Sequence, residues 1–110
     1  MNIIEIEETL LRCARAQQAK GLDIVCDVFF ERTGHDITGC CALGALALET
    51  DRQPDEDLAR AVVGMTEEQA ESFTRGFDGW RRQFGGPFPE YFALGKRLRE
   101  NLKPREARGA

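Results

Sequence analysis

The chain has no apolar run longer than Ala42 to Leu48. That is far short of the roughly 20 residues a membrane-spanning helix needs. It has one His, one Trp and one Tyr, and its four Cys include no CxxC pair. Four cysteines are too few for a disulfide scaffold, and paired ligand spacing is the usual mark of structural zinc. There is no P-loop and no GxGxxG. Asp78-Gly79 does not open an EF-hand loop, because Trp80 and Arg82 fill positions that need oxygen ligands. The N-terminus carries neither a basic n-region nor an apolar h-region, so no secretion signal and a cytoplasmic location are expected. Cysteines there stay reduced. With no strong catalytic motif, a non-enzymatic role and no cofactor are the leading expectations.

What is present is ordinary for a globular protein: 110 residues, 42% hydrophobic and 31% charged. That length fits one domain, read as residues 1–103 with a frayed tail over 104–110. The net charge of -4 is unevenly spread. Residues 1–60 hold 12 acids and 6 bases, whereas residues 61–110 hold 7 acids and 9 bases. The acidic cluster is Glu49, Asp51, Asp55, Glu56 and Asp57; the basic one is Lys96, Arg97, Arg99, Lys103, Arg105 and Arg108. Phosphate contacts dominate sequence-independent nucleic-acid binding. Only the C-terminus could supply them, so nucleic acid is disfavoured as a partner.

Asn2 and Glu5 form a capping-box pair, and Ile6, Leu10, Cys13 and Gln17 keep near-helical spacing to a stop at Lys20-Gly21. A helix over about 3–19 follows. Residues 22–30 alternate with many β-branched and aromatic side chains, which favours a strand over a short helix. Thr33-Gly34-His35-Asp36 is a turn, and Ile37-Thr38 returns as a second strand. From Cys40 to Leu48 the chain is small and apolar on nearly every side, which predicts a central helix with Thr38 as its cap. Pro54 sets up a short helix ending at Gly64. Thr66 and Gln69 cap another, carrying Phe73, Phe77, Trp80 and Phe84 as one core-facing stripe. Gly76 and Gly79 each cost about 1 kcal/mol inside a helix, so a break near Asp78-Gly79 is expected. Pro89 opens a last helix that Pro104 ends. The fold class is mainly α (α+β): four to five helices around the small-residue helix, with a short extended or hairpin element at about 22–38.

Two surfaces are candidates for partner binding. The acidic one is Glu49, Asp51, Asp55, Glu56 and Asp57, suited to a basic protein surface. The aromatic one is Phe84, Phe88, Tyr91 and Phe92, which a small domain cannot fully hide. Burial of that patch against a symmetry mate would make a structural homo-oligomer. Cys26, His35, Cys40 and Cys41 form an alternative metal set. Cys40 or Cys41 with His35 is also an alternative thiol nucleophile, since a helix N-terminus lowers a thiol pKa. Core packing is the simpler fate of all four cysteines.

Gly39-Cys40-Cys41-Ala42-Leu43-Gly44-Ala45-Leu46 resembles a group of short bacterial and phage proteins built around a C-A-L-G-A-L core helix. Gly64 to Ala70, Phe73-x-x-Gly76-Phe77-Asp78-Gly79 and Tyr91 to Arg97 resemble parts of the same proteins, and together the segments cover about a third of the chain. The resemblance implies a small, mostly helical cytosolic protein from a mobile element. It carries no activity and no functional residues. The function it suggests is inhibition of a host nucleic-acid-processing or defence complex by docking, as small anti-CRISPR proteins do.

Overall fold

The computed structural model describes residues 1–50 and 56–108. Among these residues five helices and a four-stranded sheet are formed: α1 (Ile3–Ala19), β1 (Asp23–Cys26), β2 (Phe30–Thr33), β3 (Asp36–Cys40), α2 (Ala42–Thr50), α3 (Glu56–Val62), α4 (Glu67–Phe77), α5 (Pro89–Leu102) and β4 (Arg105–Glu106). The mainly helical α+β class is therefore the observed one. A 3-10 turn, Arg82–Phe84, lies between α4 and α5.

The capping box closes α1, with the Glu5 amide donating to Asn2 Oδ1 at 2.9 Å. At its other end Gly21 sits at φ +93, and the amides of Gly21 and Leu22 donate to the carbonyls of Gln18 and Gln17. That is a Schellman stop, and it turns the chain directly into β1. Ile6, Leu10, Cys13 and Ala14 of α1 pack against α2, the small-residue helix. All residues from Ala42 to Ala47 are buried. A side chain at Gly44 would strike the Phe29 carbonyl at 2.5 Å, so the missing Cβ lets α2 lie against the β1–β2 connection.

The sheet order is β2-β3-β1-β4, with β1 parallel to β3 and β4, and β2 antiparallel to β3. The expected single strand over 22–30 is thus two strands. Asp27, at φ +72, turns the chain after β1, and Phe30 begins β2. The expected turn at Thr33–Asp36 joins β2 to β3, while β3 runs on to Cys40.

Cys40 therefore ends a strand and does not begin a helix. Cys41 takes the capping position expected of Thr38: its sulfur accepts the Gly44 amide at 3.3 Å. Thr38 lies inside β3, its hydroxyl 3.0 Å from Glu31 Oε1.

The tail over 104–110 is also corrected. Arg105 and Glu106 pair with β1 as β4. Arg105 donates to Glu31 at 2.6 and 2.7 Å and to Asp23 Oδ2 at 2.8 and 2.9 Å, and the Arg108 amide reaches Glu31 at 2.7 Å. A carboxylate buried in the sheet needs this set of donors. Residues 109–110 lie outside the described residues.

The α4–α5 pair crosses through two glycines. A Cβ on Gly76 would collide with the Phe92 carbonyl, and one on Gly95 with the Phe73 carbonyl. Gly76 is therefore a contact requirement and not a break. The break comes after Phe77, with Asp78 as cap and Gly79 at φ +83.

Two outcomes follow. Gly95→Ala gains up to about 1 kcal/mol in helix propensity but overpacks the crossing, so a net loss of about 1–3 kcal/mol is expected in urea unfolding. A stabilised variant would contradict the crossing. The Glu31 carboxyl is held down at about 2 by the Arg105 hydrogen bonds first and the Arg108 amide next. Its stabilisation is full above the ordinary carboxylate range and is lost as pH falls from about 4.5 towards about 2. Glu31→Gln should flatten that part of the stability-against-pH curve, whereas a curve parallel to wild type would contradict the assignment.

Candidate functional site

The connector between α4 and α5, residues 78–88, carries the exposed aromatics. Phe73 and Phe77 stay in the core, stacked at 6.2 Å. Trp80 is 50% exposed and Phe84 is 55% exposed. The expected four-member stripe divides here because helical spacing ends with the helix at Phe77.

The connector is tied down along its length. Arg75 Nη1 donates to the Phe84 carbonyl at 3.2 Å, while its other terminal nitrogen pairs with Glu71. The Arg75 guanidinium also lies 5.0 Å from the Trp80 ring centre, a cation–π contact. Arg99 Nη1 donates to the Phe77 carbonyl at 2.9 Å, beneath Gly79. The Phe88 amide reaches Ser72 Oγ at 3.4 Å. Gly85 rests on the Phe92 ring, where a Cβ would come within 2.5 Å, and Gly86 rests on Ser72. Both glycines press the backbone onto the helix pair, leaving Trp80 and Phe84 on the outside.

Of the expected aromatic patch, only Phe84 is exposed. Phe88 and Tyr91 are half-buried and meet edge to face at 6.3 Å. Phe92 is 7% exposed; it lies under Gly85 and is removed from the partner set. Trp80 replaces it. The Asp78-Gly79 stop was the signal that could have found Trp80, since beyond it the 3-4 spacing no longer places a residue.

Beside Trp80 runs a groove of about 420 Å³ lined by Arg60, Glu67, Glu71, Thr74, Arg75 and Asp78 among others. A second, of about 370 Å³, lies against Gln69, Phe88, Pro89, Glu90 and Tyr91. Between Asp78 and Glu90 the sequence has Arg81 and Arg82 and no acid. Both arginines are exposed, and neither side chain pairs with a carboxylate among the described residues.

The acidic surface is partly committed to the fold. Glu49 accepts Lys20 Nζ at 2.8 Å and the buried Gln17 amide, joining α2 to α1. Glu56 and Asp57 open α3. Asp51 and Asp55, with Pro54, lie outside the described residues. The basic cluster is spent similarly: Arg97 pairs with Glu7 at 2.8 Å, Arg99 holds Phe77 and Arg105 holds the sheet.

The alternative metal set is not assembled. His35 is exposed in the β2–β3 turn, on the order of 15 Å of extended strand from Cys40. Cys26 and Cys40 are buried. Among the described residues, no group of three or more His, Cys, Asp or Glu is placed to hold a metal ion.

Cys41 opens on a cleft of about 200 Å³ with Asp27, Val28, Phe29, Leu43, Thr74 and Asp78. Here residues 39–46 and 73–79 come together. The contacts are those of a joint. Asp78 Oδ1 accepts the Asp27 amide at 2.9 Å, securing the left-handed residue. Burial raises the Asp78 pKa, and the Asp27 charge adds to the rise. Burial also pushes the Cys40 and Cys41 thiols up to about 12. They are protonated at neutral pH, the reverse of an activated nucleophile.

No protein-family model matches the chain, and no curated protein or solved structure matches it. No helix among the described residues is long and apolar enough to cross a membrane.

Native protein at neutral pH should therefore be alkylated at Cys40 and Cys41 at least tenfold more slowly than protein in denaturant. Mass-resolved iodoacetamide labelling measures this. Rapid native labelling of either residue would restore the thiol reading.

Proposed function

We propose that the chain is a small, non-enzymatic protein-binding module whose contact surface is the α4–α5 connector. One observation carries this: Trp80 and Phe84 are half exposed on a backbone hydrogen-bonded and packed in place. Trp, Tyr and Arg dominate binding hot spots, because a large flat side chain fills a pocket at small entropic cost. Holding the connector before contact removes part of the ordering penalty that binding would otherwise carry. The protonated thiols and the ungathered His35 favour this reading over the Cys/His alternatives.

The resemblance to phage proteins supplies the finer version. The partner is then a component of a host nucleic-acid-processing or defence complex, and the chain inhibits it by covering a working surface. The homo-oligomer is the second reading, favoured by the same exposed pair, which a symmetry mate would bury.

Affinity capture from cell extract with quantitative mass spectrometry tests the module, comparing wild type with Trp80→Ala/Phe84→Ala. Both residues are outside the core but half covered, and Trp80 meets Arg75, so the variant should stay folded with a stability loss of about 1–2 kcal/mol. A specific interactor should fall at least tenfold with the variant. Equal capture by both proteins would remove the connector from the interface. Sedimentation of purified wild type addresses the second reading: a dimer that the double variant abolishes would establish self-association in place of a foreign partner.

A further inference from the structure

We infer that the connector recognises an acidic polypeptide segment carrying apolar or aromatic side chains. The inference rests on the protein-binding reading of the same surface and adds the chemistry of the partner. In a chain of net charge -4, the stretch from Gly79 to Pro89 contains two arginines and no carboxylate. Arg81 and Arg82 lie between the two exposed aromatics, Trp80 and Phe84, and all four side chains are exposed. Most other cations near this end of the molecule are already engaged. Arg75 pairs with Glu71 and holds the Phe84 carbonyl, and Arg99 holds the Phe77 carbonyl. Among the described residues Arg81 and Arg82 pair with no carboxylate, and their five-donor guanidinium forks match carboxylates.

The apolar requirement comes from the ring faces. Trp80 forms one wall of the groove along α4, so a side chain entering there would meet the indole and the aliphatic part of Thr74. The groove's own acids, Glu67, Glu71 and Asp78, and Glu90 beside Phe88, bound the patch on its flanks. A polyphosphate strand crossing the patch would run into those carboxylates, and binding such a strand needs a continuous basic track. A short peptide that places its acids over Arg81 and Arg82 avoids them. Charge complementarity of this kind sets both orientation and encounter rate.

A random dodecapeptide display library selected on immobilised wild-type protein tests the inference, with Trp80→Ala/Phe84→Ala and Arg81→Glu/Arg82→Glu selected in parallel. The expected result is enrichment of peptides with net negative charge and at least one aromatic or large aliphatic residue. An enriched peptide, resynthesised, should blue-shift the emission of Trp80, the chain's single tryptophan. It should bind the charge-reversed variant at least tenfold more weakly at low salt, and the gap should narrow as salt is added. A cooperative thermal transition in each variant verifies that it is folded. Enrichment of cationic or uncharged peptides, equal binding to the charge-reversed variant, or no enrichment over the aromatic double variant would each overturn the inference. So would a dT15 oligonucleotide that binds more tightly than any selected peptide. If extract capture depends on Trp80 and Phe84 while the selection shows no acidic preference, the protein-binding reading stands and this inference alone falls. If both fail, the connector is not an interface.

Discussion

The α4–α5 crossing governs much of this molecule. Gly76 and Gly95 each lie on a backbone carbonyl of the opposite helix. No other residue would let the helices approach so closely, and the approach dictates how the chain passes from one to the other. The connector cannot continue the helical direction of α4, so Asp78 and Gly79 end it. It cannot swing away either, because Gly85 and Gly86 press it against Phe92 and Ser72. Phe73 and Phe77 belong to the crossing and are buried. Trp80 and Phe84 come after it and are left outside. The exposure of two large aromatics is thus a by-product of tight helix packing, and it gives the protein its most distinctive surface.

The sheet relies on charge. Glu31 is buried in the sheet and is satisfied by Arg105, the Arg108 amide and Thr38. Removing Arg105 would leave the Glu31 carboxylate buried without its charged partner, which is costly even where the intact set contributes little. The same contacts recruit the C-terminal residues into β4, so the chain closes where the sequence suggested fraying. The small-residue helix α2 joins α1 to the sheet. Its small residues admit α1 on one side and the Phe29 carbonyl on the other.

Legibility in the sequence followed the range of the forces involved. α1 and α4 were readable because capping boxes are local, and α5 because proline at its first position is local. α2 was readable as a central helix, since only buried helices are apolar all round. β4 was not, because its partners Asp23 and Glu31 lie 82 and 74 residues from Arg105. The division of residues 22–30 into two strands was hidden by Asp27, which takes a left-handed conformation that glycine or asparagine would have announced. Part of the aromatic surface was visible through Phe84. Trp80 was missed by extending a helical period past a stop that the sequence itself contains. The acidic candidates were legible as charge, but Glu49 turned out to brace α1.

The connector holds Trp80 and Phe84 in place before any partner arrives. Nitrogen-15 relaxation of the backbone amides from Gly79 to Phe88 and of the Trp80 indole tests it most directly. Order parameters near those of a rigid backbone, about 0.85, are expected throughout the connector. Values below about 0.6 across the segment would describe a floppy loop and would contradict it.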